Sequence, residues 1–341
     1  MKKSYRYRSA EDYFAGTVDT NASGNLKNDV PLFVFKGEEA AYKTECETTK
    51  DYEEVRKMMD ETDLAMIAET ARSGYLISLQ VYQFCKLRGL AVSRQGIRNR
   101  LNKLVKYQVL REYTLKIDDF QDGIRYYDLA ESGIRMAREE QIALPEGYIE
   151  ENRYADDPEN VKRILACNMI FLGLLQNGAA LKGFEVLEST THTYESEWEE
   201  SCQDDLSQTS SFQTTGMFWS DEESVFLLEV IRNSEDPLDS LLAANGKVED
   251  YYKLLHKLRT QNDEYPALPQ LVICAETYEE SRRIDAYIRK HYLWNEKDTI
   301  LYTHDLLYMK NTLRFFYTFD KKGKPVWYEL PSRFENSAEN I

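Results

Sequence analysis

Basic side chains are concentrated in one stretch of this sequence, from Arg72 to Lys116. That stretch has ten Lys and Arg residues against one acid, Glu112, although the chain of 341 residues has 43 basic and 59 acidic side chains and a formal net charge of −16. Because a net acidic protein repels polyanions on average, a nucleic-acid site has to depend on a local excess of positive charge. The stretch from Arg72 to Lys116 supplies that excess.

The residue types in this stretch are those that recognise duplex DNA. Arg and Asn form paired hydrogen bonds with guanine and adenine edges in the major groove, and Lys or Arg contacts phosphate oxygens. The predicted groove-facing residues are Arg94, Arg98, Asn99, Asn102, Lys103 and Lys106, and the predicted phosphate contacts are Lys86, Arg88 and Arg111. The alternative is a solvated helix face in a module that contacts other proteins.

The elements expected to position these residues are three helices followed by a hairpin. Apolar spacing predicts a helix ended by Gly74, a second that is N-capped by Ser78, buries Leu87 among others and stops at Gly89, and a third capped by Ser93. The core face of the third helix is predicted to be Ile97, Leu101, Leu104 and Val105. Two strand-like runs, 109–115 and 124–129, flank a polar turn. This order predicts a winged helix-turn-helix over 51–145, preceded by an irregular arm over 1–50.

The second half of the chain alternates between helix-like and strand-like runs. Pro and acidic residues between 145 and 158 mark the predicted boundary. Helices are expected at 161–176, 241–255 and 278–291, and strands at 184–187, 216–219, 225–231, 271–275 and 300–303. The expected fold is therefore α+β or α/β, with a mixed sheet flanked by helices over 158–330 and a tail at 331–341.

An αβββαβ core with a carboxylate, Glu229, on its third strand resembles PD-(D/E)XK nuclease-like domains. A winged helix followed by such a core resembles the replication-relaxation family of plasmids and integrative elements in Gram-positive bacteria. The residues that carry this resemblance are Phe226-Leu227-Leu228-Glu229-Val230-Ile231-Arg232, Lys247-Val248-Glu249-Asp250-Tyr251-Tyr252-Lys253 and Leu271-Val272-Ile273. The resemblance implies a role in plasmid replication, transfer or transcription control.

The chain departs from the nuclease pattern at the metal site. Such nucleases hold a divalent metal between an aspartate of the second strand and the acid of the third, and a lysine follows two residues later. Here Thr215 stands at the aspartate position and Ile231 at the lysine position. One carboxylate and a hydroxyl make a poor Mg²⁺ site, so we expect no catalysis and no cofactor. The simpler interpretation of the remaining charges is an ion pair of Glu229 with Arg232, or of Lys247 with a carboxylate.

The preferred hypothesis is a non-catalytic duplex-DNA-binding protein of a mobile element, whose C-terminal domain mediates homodimer contacts or binds replication or conjugation proteins. One alternative is an Mg²⁺-dependent endonuclease that uses Glu229, Asp221 and Lys247. The other is a protein-interaction adaptor that binds no DNA.

Several further features limit the class of protein. Five separated cysteines without a CxxC pair indicate reduced thiols in a cytoplasmic protein. We expect no membrane segment, because no apolar run reaches the ~18 residues of a spanning helix. The acidic segment 189–223 is interpreted as a solvated loop, or alternatively as a docking site for a basic partner.

Overall fold

The computed structural model describes residues 39–44, 50–117, 122–142, 144, 157–186, 214–220, 224–232, 237–261, 268–291, 300–307 and 314–330. Within these ranges the chain forms eight α-helices and two β-sheets. The mixed α and β class expected from the sequence is therefore confirmed. Asp221, the tail 331–341 and most of the acidic segment 189–223 lie outside the described residues.

The first sheet and its helices come from residues 39–139. The elements are β1 (Glu39–Lys43), α1 (Tyr52–Lys57), α2 (Glu61–Ser73), β2 (Leu76–Ile77), α3 (Ser78–Leu87), α4 (Arg94–Lys106), β3 (Leu110–Ile117), β4 (Ile124–Leu129) and α5 (Glu131–Glu139). The strand order is β1-β3-β4-β2, and every neighbouring pair is antiparallel.

Helices α2, α3 and α4 and the β3–β4 hairpin lie close to their predicted positions, and the helix ends show why. Gly74 follows α2 with a φ of 65°, a left-handed conformation that glycine adopts without strain. The Ser93 hydroxyl accepts a hydrogen bond from the Gly96 amide at 3.0 Å, so Ser93 is the N-cap of α4 as predicted. The four predicted core residues of α4 are all buried.

Three expectations about this unit were wrong. Residues of the predicted irregular arm form β1, because its backbone pairs with β3 although the segment Glu39–Lys43 lacks a strand-like apolar alternation. The N-cap of α3 is Ile77 rather than Ser78, and the Gln80 side chain accepts a hydrogen bond from the Ile77 amide at 3.1 Å. Leu87 is 42% exposed, because it is the last residue of α3 and lies beyond the packed part of that helix.

The second sheet comes from residues 158–328. Its elements are α6 (Pro158–Gln176), β5 (Gly183–Val186), β6 (Gly216–Trp219), β7 (Val225–Val230), α7 (Pro237–Gln261), β8 (Gln270–Ala275), α8 (Tyr278–His291), β9 (Leu301–His304), a 3₁₀ turn (Asp305–Leu307), β10 (Phe316–Phe319) and β11 (Pro325–Tyr328). The order is β11-β10-β9-β8-β7-β6-β5, with β7, β8 and β9 parallel and the other neighbours antiparallel. The sequence pattern had not indicated β10 and β11.

Helices cover both faces of this sheet. Phe226 of β7 stacks on Phe218, which contacts Phe171 of α6. Tyr302 of β9 interacts instead with Asp285 of α8. Across the sheet, Tyr302 is in register with a residue of β7 that is an odd number of positions from Phe226. Because successive strand residues point to opposite faces, α6 lies on one face of the sheet and α8 on the other.

Helix α6 joins the two sheets into one core. Thirteen of its nineteen residues are buried. On one side, Asn168 Nδ2 donates to the carbonyls of Ser73 and Tyr75, both at 2.9 Å, and Gln80 Nε2 donates to the Leu165 carbonyl at 2.7 Å. On the other side, Phe171 stacks on Phe184 of the second sheet at 4.4 Å. The predicted boundary at 145–158 therefore separates two sheets that share one hydrophobic core.

Replacing Asn168 with Ala tests this connection. The substitution leaves the buried carbonyls of Ser73 and Tyr75 without their donor, so we expect the free energy of unfolding in urea to fall by about 3 kcal/mol. The matched control is Asn99→Ala on the exposed face of α4, which should change the free energy of unfolding by less than about 0.5 kcal/mol. Equal effects of the two substitutions would contradict the role of α6 as the connector.

Candidate functional site

The outward face of α4 carries polar and basic side chains. Its apolar face packs against α3 and β3, and Gln95, Asn99, Asn102 and Lys106 are exposed on the opposite side. Arg94 is also exposed and Arg98 is half-buried. The Gln95 amide donates to Asn99 Oδ1 at 2.9 Å. Helix α4 contains no acidic residue, so its exposed face combines amide and cationic donors without an opposing carboxylate of its own.

A tyrosine on α3 extends this basic surface. The Arg94 guanidinium carbon lies 5.8 Å from the centre of the Tyr82 ring, and Lys86 Nζ lies 5.7 Å from it. Both distances fall within the range of cation–π attraction. Lys86 and Arg94 therefore lie around one aromatic ring, although they belong to different helices.

The structure corrects the predicted outward position of Lys103. Its ammonium bonds to Asp63 Oδ2 at 2.7 Å and to the Met58 carbonyl at 2.9 Å. Arg100 joins the same cluster through Asp63 Oδ1 at 2.8 Å and Asp60 Oδ1 at 2.7 Å. Asp63 is fully buried, so these two cations from one flank of α4 neutralise a charge inside the fold.

The pKa of the neighbouring Asp60 carboxyl reflects this cluster. Burial by itself raises the pKa, but the Asp63 amide and the Arg100 guanidinium favour the ionised form and hold the pKa below its ordinary value. The same carboxylate accepts the Asp63 amide at 2.9 Å as the N-cap of α2. The acids that cap α2 therefore fix the orientation of α4.

Arg111 and Arg88, predicted to contact phosphate, also form internal ion pairs. Arg111 makes a bidentate pair with Asp128, with Nε to Oδ1 at 2.8 Å and Nη2 to Oδ2 at 2.9 Å, across directly opposed positions of β3 and β4. Arg88 bonds to the buried carboxylate of Glu69, which also pairs with Arg72. Sequence spacing could not reveal these partners, because they lie on other elements.

The charged cluster of the second sheet centres on Glu229, at the C-terminal end of β7. Arg163 of α6 donates to Glu229 Oε1 at 2.6 Å, to Thr215 Oγ1 at 3.0 Å and to the Val230 carbonyl at 3.0 Å. The Thr215 amide donates to Glu229 Oε2 at 3.2 Å, and Lys247 Nζ of α7 lies 3.7 Å from the same oxygen. Both carboxylate oxygens therefore have cationic or amide partners.

This arrangement decides between the predicted ion pairs. The pair between Lys247 and Glu229 is present, whereas the Arg232 guanidinium bonds to Asp305 Oδ1 at 3.0 Å. Arg163 was not singled out from the sequence. The available indication was a basic residue, beside Lys162, in a mostly apolar helix, because such residues are seldom enclosed without a partner.

The described residues around Glu229 do not fit a magnesium ion, and Asp221, the other carboxylate of the nuclease alternative, lies outside them. Mg²⁺ requires near-octahedral oxygen ligands, usually with one or two carboxylates. Here one carboxylate already contacts Arg163 and Lys247, and the Thr215 hydroxyl accepts the Val230 amide at 3.1 Å. Among the described residues no three His, Cys, Asp or Glu side chains form a group able to hold a metal ion.

Cys167 lies beside the cluster but has a packing role. Burial raises the pKa of its thiol well above the ordinary value, so the nucleophilic thiolate is disfavoured. Its sulfur fills the space next to Gly216, where an added Cβ would lie only 2.6 Å away. Cys85, Cys167 and Cys274 are buried thiols that belong to no disulfide, and Cys46 and Cys202 lie outside the described residues.

The substitution Arg163→Met tests whether Glu229 depends on its guanidinium partner. Removing one member of an enclosed ion pair leaves an undercompensated charge, so we expect a loss of about 3 kcal/mol of unfolding free energy in urea. The added substitution Glu229→Gln removes that charge and should restore part of the loss. The control Arg282→Met breaks an exposed pair with Glu279 and should have little effect. Additive losses from Arg163→Met and Glu229→Gln would contradict the coupling.

Three comparisons with known proteins complete the description of the chain. The chain matches no protein-family model, no curated protein and no solved structure. Among the described residues, no helix has the length and apolar content needed to cross a membrane. The functional interpretation therefore depends on the geometry of α4 and of the Glu229 cluster.

Proposed function

We propose that this chain is a non-catalytic duplex-DNA-binding protein of a mobile genetic element, similar to the replication-relaxation family. The observation that supports the proposal most is the exposed face of α4. Arg94, Asn99, Asn102 and Lys106 are exposed on a helix without an acidic residue, in a chain whose formal net charge is −16. Such a local reversal of charge favours a polyanion over other partners.

The dimensions of α4 suit the major groove. Its thirteen residues span about 20 Å, and the groove of B-DNA admits an α-helix. In this proposal Arg94, Arg98, Asn99 and Asn102 contact base edges, and Lys106 contacts phosphate. Lys86, beside Tyr82 on α3, adds a second phosphate contact. Lys103, Arg88 and Arg111 leave the proposed interface, because each pairs with an internal carboxylate.

The elements around α4 support a winged helix-turn-helix. Three helices, α2 to α4, precede the β3–β4 hairpin, and α3 packs directly against α4. In this arrangement the third helix enters the groove and the hairpin forms the wing. Strand β1 widens the wing by pairing along β3.

The second sheet is proposed to be a degenerate nuclease-like unit that mediates contacts with another copy or with replication or conjugation proteins. Arg163 and Lys247 compensate Glu229, as expected of a former metal site that has become a structural ion pair. This supports a role without catalysis. The output of DNA binding is then the control of replication, transfer or transcription of the element.

Alanine substitutions on the two flanks of α4 test the proposal. Arg98→Ala should weaken binding to a selected duplex by about 5- to 150-fold, because a bidentate base contact contributes about 1–3 kcal/mol of discrimination. Lys103→Ala on the same helix removes the same charge but breaks the bond to Asp63, so it should reduce stability and leave affinity nearly unchanged. Fluorescence anisotropy with a labelled duplex measures the affinity, and urea unfolding measures the stability.

The salt dependence of duplex binding separates this proposal from the alternatives. The logarithm of the binding constant should fall with the logarithm of the salt concentration, with a slope of about 0.9 for each phosphate contact. Lys86→Ala should reduce that slope by about 0.9, the contribution of one contact. A weak response to salt would reject DNA binding and favour a protein adaptor. Nicking of plasmid DNA with Mg²⁺ that is lost in Glu229→Ala would reject the non-catalytic role.

A further inference from the structure

The β10–β11 hairpin, residues 316–328, is a basic and aromatic projection that the proposed duplex contact does not use. Its turn contains Lys321, Lys322 and Lys324, all exposed. On β11, Val326 is 50% exposed and Trp327 is 40% exposed. The hairpin has three lysines and one acid, Asp320, so its net charge is +2 in a chain of formal charge −16. It is thus a second surface whose local charge is opposite in sign to the net charge of the chain. It belongs to the second sheet, whereas α4 packs against the first.

The turn that carries the lysines is ordered by its own hydrogen bonds. Asp320 Oδ1 accepts the amides of Lys322 and Lys324, both at 2.8 Å, and the Asp320 carbonyl accepts the Gly323 amide at 3.0 Å. The bonds from the Lys322 and Lys324 amides hold the pKa of the Asp320 carboxyl below its ordinary value. Gly323 has a φ of +71°, a conformation that strains residues with a side chain. The lysines therefore project from a preformed turn, which reduces the ordering cost of binding.

Trp327 packs against its cross-strand partner Tyr317 of β10 and stays 40% exposed. The two ring centroids are 5.4 Å apart, and the ring planes are at 68° to each other in a T-shaped arrangement. Strand β11 is the last strand of its sheet in the described part of the chain, so it has a neighbour on one side only. Proteins usually protect such edges, and exposed apolar residues on one indicate an interaction surface.

Charge complementarity selects the partner. Three lysines in a net acidic chain attract a polyanion, and a half-exposed indole offers a flat surface for stacking. Proteins that bind single-stranded nucleic acid combine these two features, because cations follow the backbone and aromatic rings stack on unpaired bases. Duplex DNA lacks accessible base faces, so the tryptophan favours a single strand.

We propose that the β10–β11 hairpin binds single-stranded DNA, with an unpaired base stacked on Trp327 and the adjacent phosphates on Lys322 and Lys324. Lys324 precedes Trp327 by three residues, about 10 Å along an extended strand. The proposed contact uses neither α4 nor the Glu229 cluster. It therefore goes beyond the duplex-binding function and does not depend on it.

Anisotropy of a labelled oligothymidylate of 20 nucleotides with the full chain tests the proposal. Lys322→Ala/Lys324→Ala should weaken binding by at least about tenfold and reduce the salt slope by about 1.4, since each single-strand contact contributes about 0.7. Trp327→Ala should weaken binding by about tenfold through lost stacking. The matched control is Lys253→Ala/Lys290→Ala, which removes two exposed lysines from α7 and α8 and should preserve affinity.

The two DNA-binding surfaces can be tested separately. Arg98→Ala should leave oligothymidylate affinity unchanged, whereas the hairpin variants should leave duplex affinity unchanged, so the two proposals fail independently. Equal losses from the hairpin and control lysine pairs would show an effect of net charge alone and overturn the site. Failure of the full chain to bind oligothymidylate would also overturn it. So would binding of vesicles with anionic lipids that requires Trp327 while oligothymidylate binding does not.

Discussion

The burial of α6 is the constraint on which both halves of the structure depend. A helix that is apolar on nearly all sides has to be enclosed by other elements, and here the first sheet with its helices supplies one side and the second sheet the other. Two of its polar side chains bond across these contacts. Asn168 donates to the carbonyls of Ser73 and Tyr75 at the end of α2, and Arg163 donates to Glu229. The same helix therefore positions the helical unit and neutralises the charged cluster.

Internal ion pairing sorts the cations of the basic segment into two groups. Four of these cations pair with carboxylates of neighbouring elements: Arg88, Arg100, Lys103 and Arg111. Three of the carboxylates, Glu69, Asp63 and Asp128, are fully or almost fully buried. Arg94 and Lys106 remain exposed on α4. A count of basic residues thus overstates the charge that is offered to a ligand.

Local patterns predicted the helices and the β3–β4 hairpin because caps and apolar spacing are encoded within each segment. Ser93 and Gly74 are examples, and both act on their own helix. Contacts between distant segments were not predictable in this way. Strand β1 exists through its pairing with β3, and the partner of Lys103 lies on α2. At the candidate site the sequence identified Glu229 and Lys247, whereas Arg163 became evident only from the packing of α6 on the sheet.

The position of α6 in the sequence also determines when the N-terminal unit can complete its contacts during synthesis. The helical unit ends at residue 139, yet Gln80 and the carbonyls of Ser73 and Tyr75 find their partners on a helix that extends to Gln176. An N-terminal portion leaving the ribosome has no such partner until that helix has emerged. A truncated translation product that lacks α6 therefore exposes this interior surface and becomes a substrate for chaperones and proteases.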